Sequence, residues 1–304
     1  MTFFRRLRNL IPTRQKGPVR VVTDSTSDLP PEVAAELGIT VVPLQVMFGS
    51  EAFQDGVELS SEEFYHRLPL AHELPKTSQP SVGQFHGVYE ALVGETERIL
   101  SIHLSSRFSG TIDAARLAAR DVADRCQIEV LDSGTVSMAM GLAVMAAARA
   151  ARDGAELPAC ADAARSVLRR MRLAVALDTL EYLRRGGRIG RAQAFVGGLL
   201  RLKPILTVRD GEAHPLARVR TRRKALDEIV NICLADDAIE QAAIMHATTP
   251  DDARYVADEI ERRRPGTPVH LGRFGPVLGV HGGPGMIGLA VVLRDEPGPA
   301  PGTT

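Results

Sequence analysis

Tryptophan is absent from this chain of 304 residues, and all aromatic residues together make up only 4% of it. Cysteine is nearly as scarce, since the chain has only Cys126, Cys160 and Cys233, which stand far apart. An odd, scattered set of cysteines disfavours both a disulfide framework and a zinc site. We therefore expect each cysteine to be a small core residue in a protein of a reducing compartment, the cytoplasm.

Net charge and long apolar runs are also missing. Lys plus Arg and Asp plus Glu both number 37, so charge gives no indication of a nucleic-acid partner. No apolar run approaches the roughly 20 residues that cross a bilayer, which predicts a soluble protein. The chain also lacks a GxxxxGK(S/T) phosphate loop, a GxSxG elbow and an HExxH motif. These absences disfavour independent catalysis by this chain.

The two ends differ in composition from the rest. Residues 1–17 are basic and partly apolar, but they lack the continuous apolar stretch of a secretory signal. Their Phe and Leu residues would fit one face of a weak membrane-surface helix, although a disordered extension is the simpler interpretation. Residues 295–304 are rich in Pro and Gly and predict a disordered tail.

The remaining chain predicts two domains of the α/β class. From 18 to 155, β-branched runs alternate with helical patterns, which favours a parallel sheet covered by helices. Gly154–Pro158 predicts a boundary, and 156–294 form a second domain. There, Asp210-Gly211 between two strand patterns is typical of a hairpin turn. The hairpin predicts an α+β domain with an antiparallel or mixed sheet.

Clusters of polar side chains follow the predicted strands of the first domain. Ligands of open α/β sheets bind beyond the carboxyl ends of the strands, and helix N-termini there favour an anion. The clusters alone leave open a carboxylate or a phosphate, and each also fits ordinary helix capping. Asp24 and Asp28 would suit a metal, but acids in a turn more often accept local N–H groups. The clusters are 23–28, 76–81, 105–111 and 132–135.

Two glycine-containing segments mark the second domain. Gly186-Gly187 lies among arginines and predicts either a flexible cationic turn or a solvated helix C-terminus. Residues 272–288 hold seven glycines around His281, which predicts tight turns or close approach to a ligand. His281 fits a structural hydrogen bond as well as a ligand contact.

Together these segments resemble the DegV family, whose characterised members include the fatty-acid-binding subunits of bacterial fatty acid kinase. Six stretches carry the resemblance, in the family's order, and the match covers residues 19–293. They are TDSTSDLP (23–30), PKTSQPS (75–81), SSRFSGT (105–111), DTLEYLRRGGRIG (178–190), LKPIL (202–206) and GPVLGVHGGPG (275–285).

The resemblance implies two α/β domains and an apolar tunnel that holds one acyl chain. It implies that Thr77 and Ser109 bind the carboxylate, with Ser78 and Gly110 in the same segments and His281 beside them. It further implies that Arg188 and Arg185 lie near the opening, where a partner docks. Arg107-Phe108 departs from the simplest family pattern by placing a bulky pair beside the head group.

The function implied by the resemblance is to carry a long-chain fatty acid and present its carboxylate. A separate kinase subunit would bring ATP and magnesium and form an acyl phosphate, so the resemblance implies no catalytic residue, metal or cofactor in this chain. An acyltransferase or a membrane surface would be a transient further partner, in phospholipid synthesis, and nucleic acid would not be a partner. Two other hypotheses are a stand-alone phosphotransferase and a regulatory protein that merely retains the fold.

Overall fold

The computed structural model describes residues 18–195, 202–235 and 238–295. The predicted disordered extension at 1–17 lies outside these ranges, as does the predicted tail except for Asp295. The helix expected near 192–201 lies partly outside them, and its described part is a 3-10 helix at Gly190–Phe195. In the described ranges no helix combines the length and the apolar character needed to span a bilayer.

Strands and helices alternate through much of the chain. The strands are β1 (Arg20–Asp24), β2 (Ile39–Val42), β3 (Gln45–Phe48), β4 (Glu51–Gln54), β5 (Lys76–Ser78), β6 (Arg98–His103), β7 (Gln127–Asp132), β8 (Met171–Ala176), β9 (Lys203–Arg209), β10 (Glu212–Val219), β11 (Ile239–His246), β12 (Val269–Arg273) and β13 (Ile287–Leu293). The α-helices are α1 (Pro31–Glu36), α2 (Ser61–Arg67), α3 (Val82–Val93), α4 (Thr111–Arg120), α5 (Met138–Arg152), α6 (Leu157–Arg169), α7 (Glu181–Gly186), α8 (Arg222–Cys233), α9 (Pro250–Arg263) and α10 (Pro276–Gly282).

The N-terminal sheet has four parallel strands in the order β2-β1-β6-β7. Its central strand β6 is buried along its whole length, as expected for a strand with both faces covered. The predicted parallel α/β sheet is confirmed. Since all four strands point the same way, the loops after β1, β6 and β7 meet at one edge.

A small antiparallel sheet, in the order β4-β3-β5, was not predicted. Its strands have three or four residues, and β5 is separated from β3 by helix α2. Such short, partly polar segments carry almost no periodic signal. The sheet matters for function because β5 contains Thr77, which pairs with the fully buried Val46 of β3.

The C-terminal sheet is mixed, with six strands in the order β10-β9-β8-β13-β11-β12. The predicted antiparallel or mixed sheet of the second domain is confirmed. The β9–β10 hairpin turns at Asp210 and Gly211, whose φ angles of 51° and 78° are both positive, as the shortest hairpin turns require. The sequence missed β13, although this strand lies between β8 and β11 inside the sheet.

Helix α5 lies between the two large sheets and contacts β1 on one side and β11 and β13 on the other. Its Ala, Met and Leu residues are buried almost all round, as expected for a helix without a polar face. Helix α6 packs against α5 and β6. The main apolar core therefore includes residues of both predicted domains, and the boundary at 155/156 stays a prediction.

Candidate functional site

A cavity of about 410 Å³ lies against one face of the C-terminal sheet, within the size range of ligand sites in proteins. Strand register places one row of side chains across this face and a second row beside it. The first row is Leu206, Val175, Gly288 and Met245, and the second is Leu173, Ala290 and Ala243, all of which line the cavity. Helices α8 and α9 cover the opposite face.

Small residues in the middle of these rows let neighbouring groups and the cavity lie close to the sheet. A Cβ atom at Gly288 would lie 3.1 Å from Phe274 Cζ and 3.4 Å from Val175 Cγ2. Ala290 and Ala243 add only a methyl group each. Residues from α5, α10 and β12's end complete the apolar wall, among them Met138, Val277, Leu278 and Phe274. The wall is aliphatic apart from Phe274 and Phe108 and suits a flexible hydrocarbon chain.

Polar side chains gather at another part of the same cavity. All five residues expected at the carboxylate line it: Thr77, Ser78, Ser109, Gly110 and His281. They come from β5, from the loop before α4 and from α10. The chain thus brings together residues that are up to 204 positions apart.

The Thr77 hydroxyl and the His281 ring form the best-defined contact of this group, with 3.0 Å between Thr77 Oγ1 and His281 Nε2. Burial and, to a smaller extent, the positive charge of Arg188 lower the pKa of His281 to about 4. The imidazole is therefore neutral near pH 7. Its Nδ1 is buried and has no hydrogen-bond partner among the described residues.

The Gly-Gly turn fits tightly against this ring. A Cβ atom at Gly186, the last residue of α7, would lie 2.3 Å from His281 Nδ1. Gly187 follows in the left-handed region, with φ of 67°, and ends the helix. The close approach explains why this turn contains glycine beside His281.

Ser109 and Gly110 stand where helix α4 begins. Ser109 Oγ lies 2.9 Å from Thr111 Oγ1 and accepts a hydrogen bond from the Thr111 N–H. Gly110 is the N-cap residue and has no side chain to cap the helix. In the first turn of this ten-residue helix the Thr111 and Asp113 N–H groups are already bonded, to Ser109 Oγ and to the Gly110 carbonyl oxygen, and the helix dipole favours an anion there.

Several known proteins are similar to this chain. The model of the family described as "uncharacterised protein, DegV family" matches residues 18–294. A DegV domain-containing protein of Halalkalibacterium halodurans is 41% identical over 277 residues, which cover 90% of this chain and 97% of that protein. The chain belongs to the DegV family.

Solved DegV structures share its fold. A DegV family protein of Thermus thermophilus, described by its fatty acid binding, is 33% identical, with a TM-score of 0.84 over 91% of this chain and 100% of that one. DegV of Bacillus subtilis, described as a fatty acid binding protein, is 32% identical, with the same TM-score and the same coverage.

The two arginines expected at the opening of this DegV protein differ in position. Arg188 lines the cavity, is exposed, and donates to the carbonyl oxygens of Phe108 and Gly186 at 3.3 and 2.7 Å. Arg185 does not line the cavity and pairs with Glu181 on the exposed face of α7. Arg188 therefore borders the site, and Arg185 stands outside it.

The sequence analysis did not single out one residue of this site, and it left the effect of a second feature open. Gln79 also lines the cavity, and its Oε1 would lie 2.5 Å from a Cβ atom at Gly110. The TSQPS stretch contained this residue, but no spacing rule distinguishes it there. Arg107 and Phe108, the noted departure, both lie in the cavity lining.

The acidic turn after β1 serves the protein itself. The Asp24 carboxylate accepts hydrogen bonds from the Thr26 N–H and hydroxyl, from the Leu104 N–H, and lies 3.0 Å from His103 Nδ1. These partners occupy both of its oxygens, in line with the local-capping interpretation. Among the residues described, no group of three or more His, Cys, Asp or Glu could hold a metal ion.

Proposed function

We propose that this protein binds one long-chain fatty acid, with the acyl chain on the C-terminal sheet and the carboxylate beside Thr77 and Ser109. The observation that carries the proposal is a single cavity with an aliphatic floor and one polar group made of hydroxyls, a helix N-terminus and a neutral histidine. An amphiphile with a long apolar tail and a small anionic head matches this division.

The apolar part supplies most of the binding free energy. Burying about 15 methylene groups contributes roughly 0.8 kcal/mol each, about 12 kcal/mol before the costs of ordering and association. A tail of this kind is retained without a buried ion pair at the head group. The small residues Gly288, Ala290 and Ala243 set the width available to it.

The head group meets neutral donors in this arrangement. Nε2 of neutral His281 either donates to Thr77 or accepts from it, and in the first case the Thr77 hydroxyl proton points to the ligand. The Ser109 hydroxyl supplies a further donor, and the positive end of the α4 dipole favours the negative charge. A carboxylate held this way keeps an oxygen accessible, since among the described residues no deep bidentate arginine clamps it.

We further propose that the carboxylate is presented to a separate kinase subunit in the cytoplasm. That partner would bring ATP and magnesium, and the product would be an acyl phosphate protected from water until an acyltransferase takes it for phospholipid synthesis. Arg188 would border the opening at which the partner docks, and Arg185 would lie on the adjoining exposed surface of α7.

The head-group assignment is tested with carboxyl-¹³C-labelled hexadecanoate bound to the protein. In the wild type we expect one carboxylate signal, shifted from that of the free acid. The Thr77→Val/Ser109→Ala variant should lose this shift and release the ligand faster. An unchanged signal and unchanged retention would refute the assignment.

The presentation step needs its own experiment. ATP-dependent acyl phosphate formation is measured for a bacterial fatty acid kinase catalytic subunit with and without the loaded protein. Product that requires both proteins supports the proposal. ATP hydrolysis by this chain alone would instead support the alternative hypothesis of a stand-alone phosphotransferase.

A further inference from the structure

Two carboxyl groups, the buried Asp55 and the partly buried Asp28, lie behind the cavity wall and have no part in the proposed head-group contact. Asp28 follows the β1 turn and Asp55 follows β4. Both approach Gly275, because Oδ1 of Asp28 and Oδ1 of Asp55 would lie 2.9 and 3.5 Å from a Cβ atom at that glycine. The two acids therefore face one another across the start of α10.

These acids satisfy the N-terminus of α10, which has no capping side chain of its own. The Gly275 N–H donates to Asp28 Oδ1 at 2.9 Å. The Val277 N–H and the Ser25 hydroxyl donate to Asp55. Free N–H groups at a helix start need such acceptors. The position of α10 is thus fixed by residues from the N-terminal sheet and the small sheet.

A strained contact joins Asp28 to Ser137, the residue before α5. The Ser137 hydroxyl donates to Asp28 Oδ2 at 2.6 Å. Both residues have positive φ angles, 52° for Asp28 and 59° for Ser137. Such conformations cost about 1–3 kcal/mol and persist where the surroundings enforce them. Ser137 also lines the cavity, so the acids reach its wall from two helices.

Helix α10 in turn carries His281 and the wall residues Val277 and Leu278. Its middle is packed closely, since a Cβ atom at Gly279 would lie 2.8 Å from the Tyr65 hydroxyl oxygen. Any displacement of the N-terminal end of α10, which Asp28 contacts, therefore changes the position of His281 relative to Thr77.

The surroundings of the two acids favour a state in which one acid is protonated and the other is charged. Burial, and to a smaller extent the neighbouring acids, raise the pKa of Asp28 to about 8 and that of Asp55 to about 6, although the hydrogen bonds that both carboxyl groups accept act in the opposite direction. The groups facing them are Asp24 at the end of β1, Tyr65 of α2, and Arg273 at the end of β12, which lies 5.8 Å from the Tyr65 ring. Near pH 7 Asp55 carries the charge and Asp28 keeps its proton.

We propose that Asp28 and Asp55 act as a proton-dependent latch that holds α10, and with it His281, closed over the polar part of the cavity. In the latched state Asp28 is protonated and Asp55 is the only charge of the pair. When Asp28 gives its proton to solvent, two carboxylates lie close together at the start of α10. Their repulsion loosens α10 and speeds ligand release.

The effect on release rests on the proposed function, whereas the motion of α10 does not. The first test therefore uses ligand-free protein and amide hydrogen exchange at Gly279 and Gly283, whose N–H groups bond within and at the end of α10. Wild type is compared with Asp28→Asn at each pH, so that the intrinsic exchange chemistry cancels. Asn retains the acceptor for Gly275 and a donor for Ser137, and it cannot ionise.

We expect the exchange ratio of wild type to Asp28→Asn to be near one at pH 6 and to rise about tenfold by pH 9. Asp55→Asn, which removes the facing charge, should behave like Asp28→Asn. The exposed Asp113→Asn serves as the control and should follow the wild type. A ratio that stays constant from pH 6 to pH 9 in both variants would overturn the latch.

The second test measures transfer of bound hexadecanoate to phosphatidylcholine vesicles. Release from the wild type should accelerate about tenfold between pH 7 and pH 9, and release from Asp28→Asn should change much less. Equal acceleration in both proteins would refute the link to release. A protein that takes up no hexadecanoate would refute the proposed function instead, while the exchange ratio would still decide the latch.

Discussion

Thr77 and His281, 204 positions apart in the chain, meet with 3.0 Å between the hydroxyl oxygen and ring Nε2. The small antiparallel sheet supplies the first residue and α10 supplies the second. Neither element has a strong sequence pattern, yet together they define the polar part of the cavity. This contact therefore links two parts of the chain directly to the proposed head-group site.

Replacing Thr77 with valine should weaken fatty acid binding about 10- to 150-fold, because a hydrogen bond to a charged group contributes about 1.5–3 kcal/mol. Valine keeps the β-branched shape that suits strand β5, so the thermal unfolding midpoint should change little. Both quantities are measured by calorimetry. Thr40→Val in β2, away from the cavity, is the matched control and should bind like the wild type.

His281 should titrate far below an ordinary histidine. Its pKa of about 4 results from burial and then from the charge of Arg188. In Arg188→Gln the pKa should rise but stay below 6.5, since burial, the larger cause, remains. Ring chemical shifts followed by NMR from pH 3 to pH 8 measure both values. Arg125→Gln, at an exposed ion pair with Glu90, is the control and should leave the titration of His281 unchanged.

Gly186→Ala should displace the His281 ring, since the new Cβ atom would lie 2.3 Å from Nδ1. Overpacking of this kind costs about 1–3 kcal/mol, so affinity for hexadecanoate should fall about 5- to 150-fold. Gly87→Ala in α3 meets no atom within 4 Å and should slightly raise stability without affecting binding. Equal affinities of the two variants would contradict the close fit described for this turn.

Ala290→Leu should shorten the fatty acid that the protein prefers. Ala290 lies in the second row on the cavity floor, where three added carbon atoms occupy space needed by the tail. We expect the preferred chain to become shorter by roughly two to four carbons. Competition among C12 to C18 acids measures the preference. Ala35→Leu on the exposed face of α1 should leave it unchanged, and an unchanged preference in Ala290→Leu would place the tail elsewhere.

Sequence patterns predicted the large elements because these bury continuous apolar surface. The Ala-rich pattern at 137–153 became α5, and the Asp210-Gly211 turn was predicted from backbone chemistry alone. The three cysteines are buried and free, as expected. Strand β13 was missed because IGLAVVL follows a Gly-rich segment and lacks alternation, as buried strands often do.

Patterns also gave the polar segments but not their arrangement. The resemblance named Thr77, Ser109 and His281, and the structure places all three in one cavity. Spacing alone gave no reason to join β5 to α10, because the contact depends on how the short sheet packs. The pairing of Asp28 with Asp55 could not be predicted from the sequence either, since only the fold brings both to Gly275.

The most direct test of the proposed function is denaturing extraction of the purified protein, followed by mass spectrometry of the released small molecules. The account predicts close to one fatty acid per protein, within a narrow range of chain lengths. A protein that releases no fatty acid, and that also fails to take up added hexadecanoate, would contradict it.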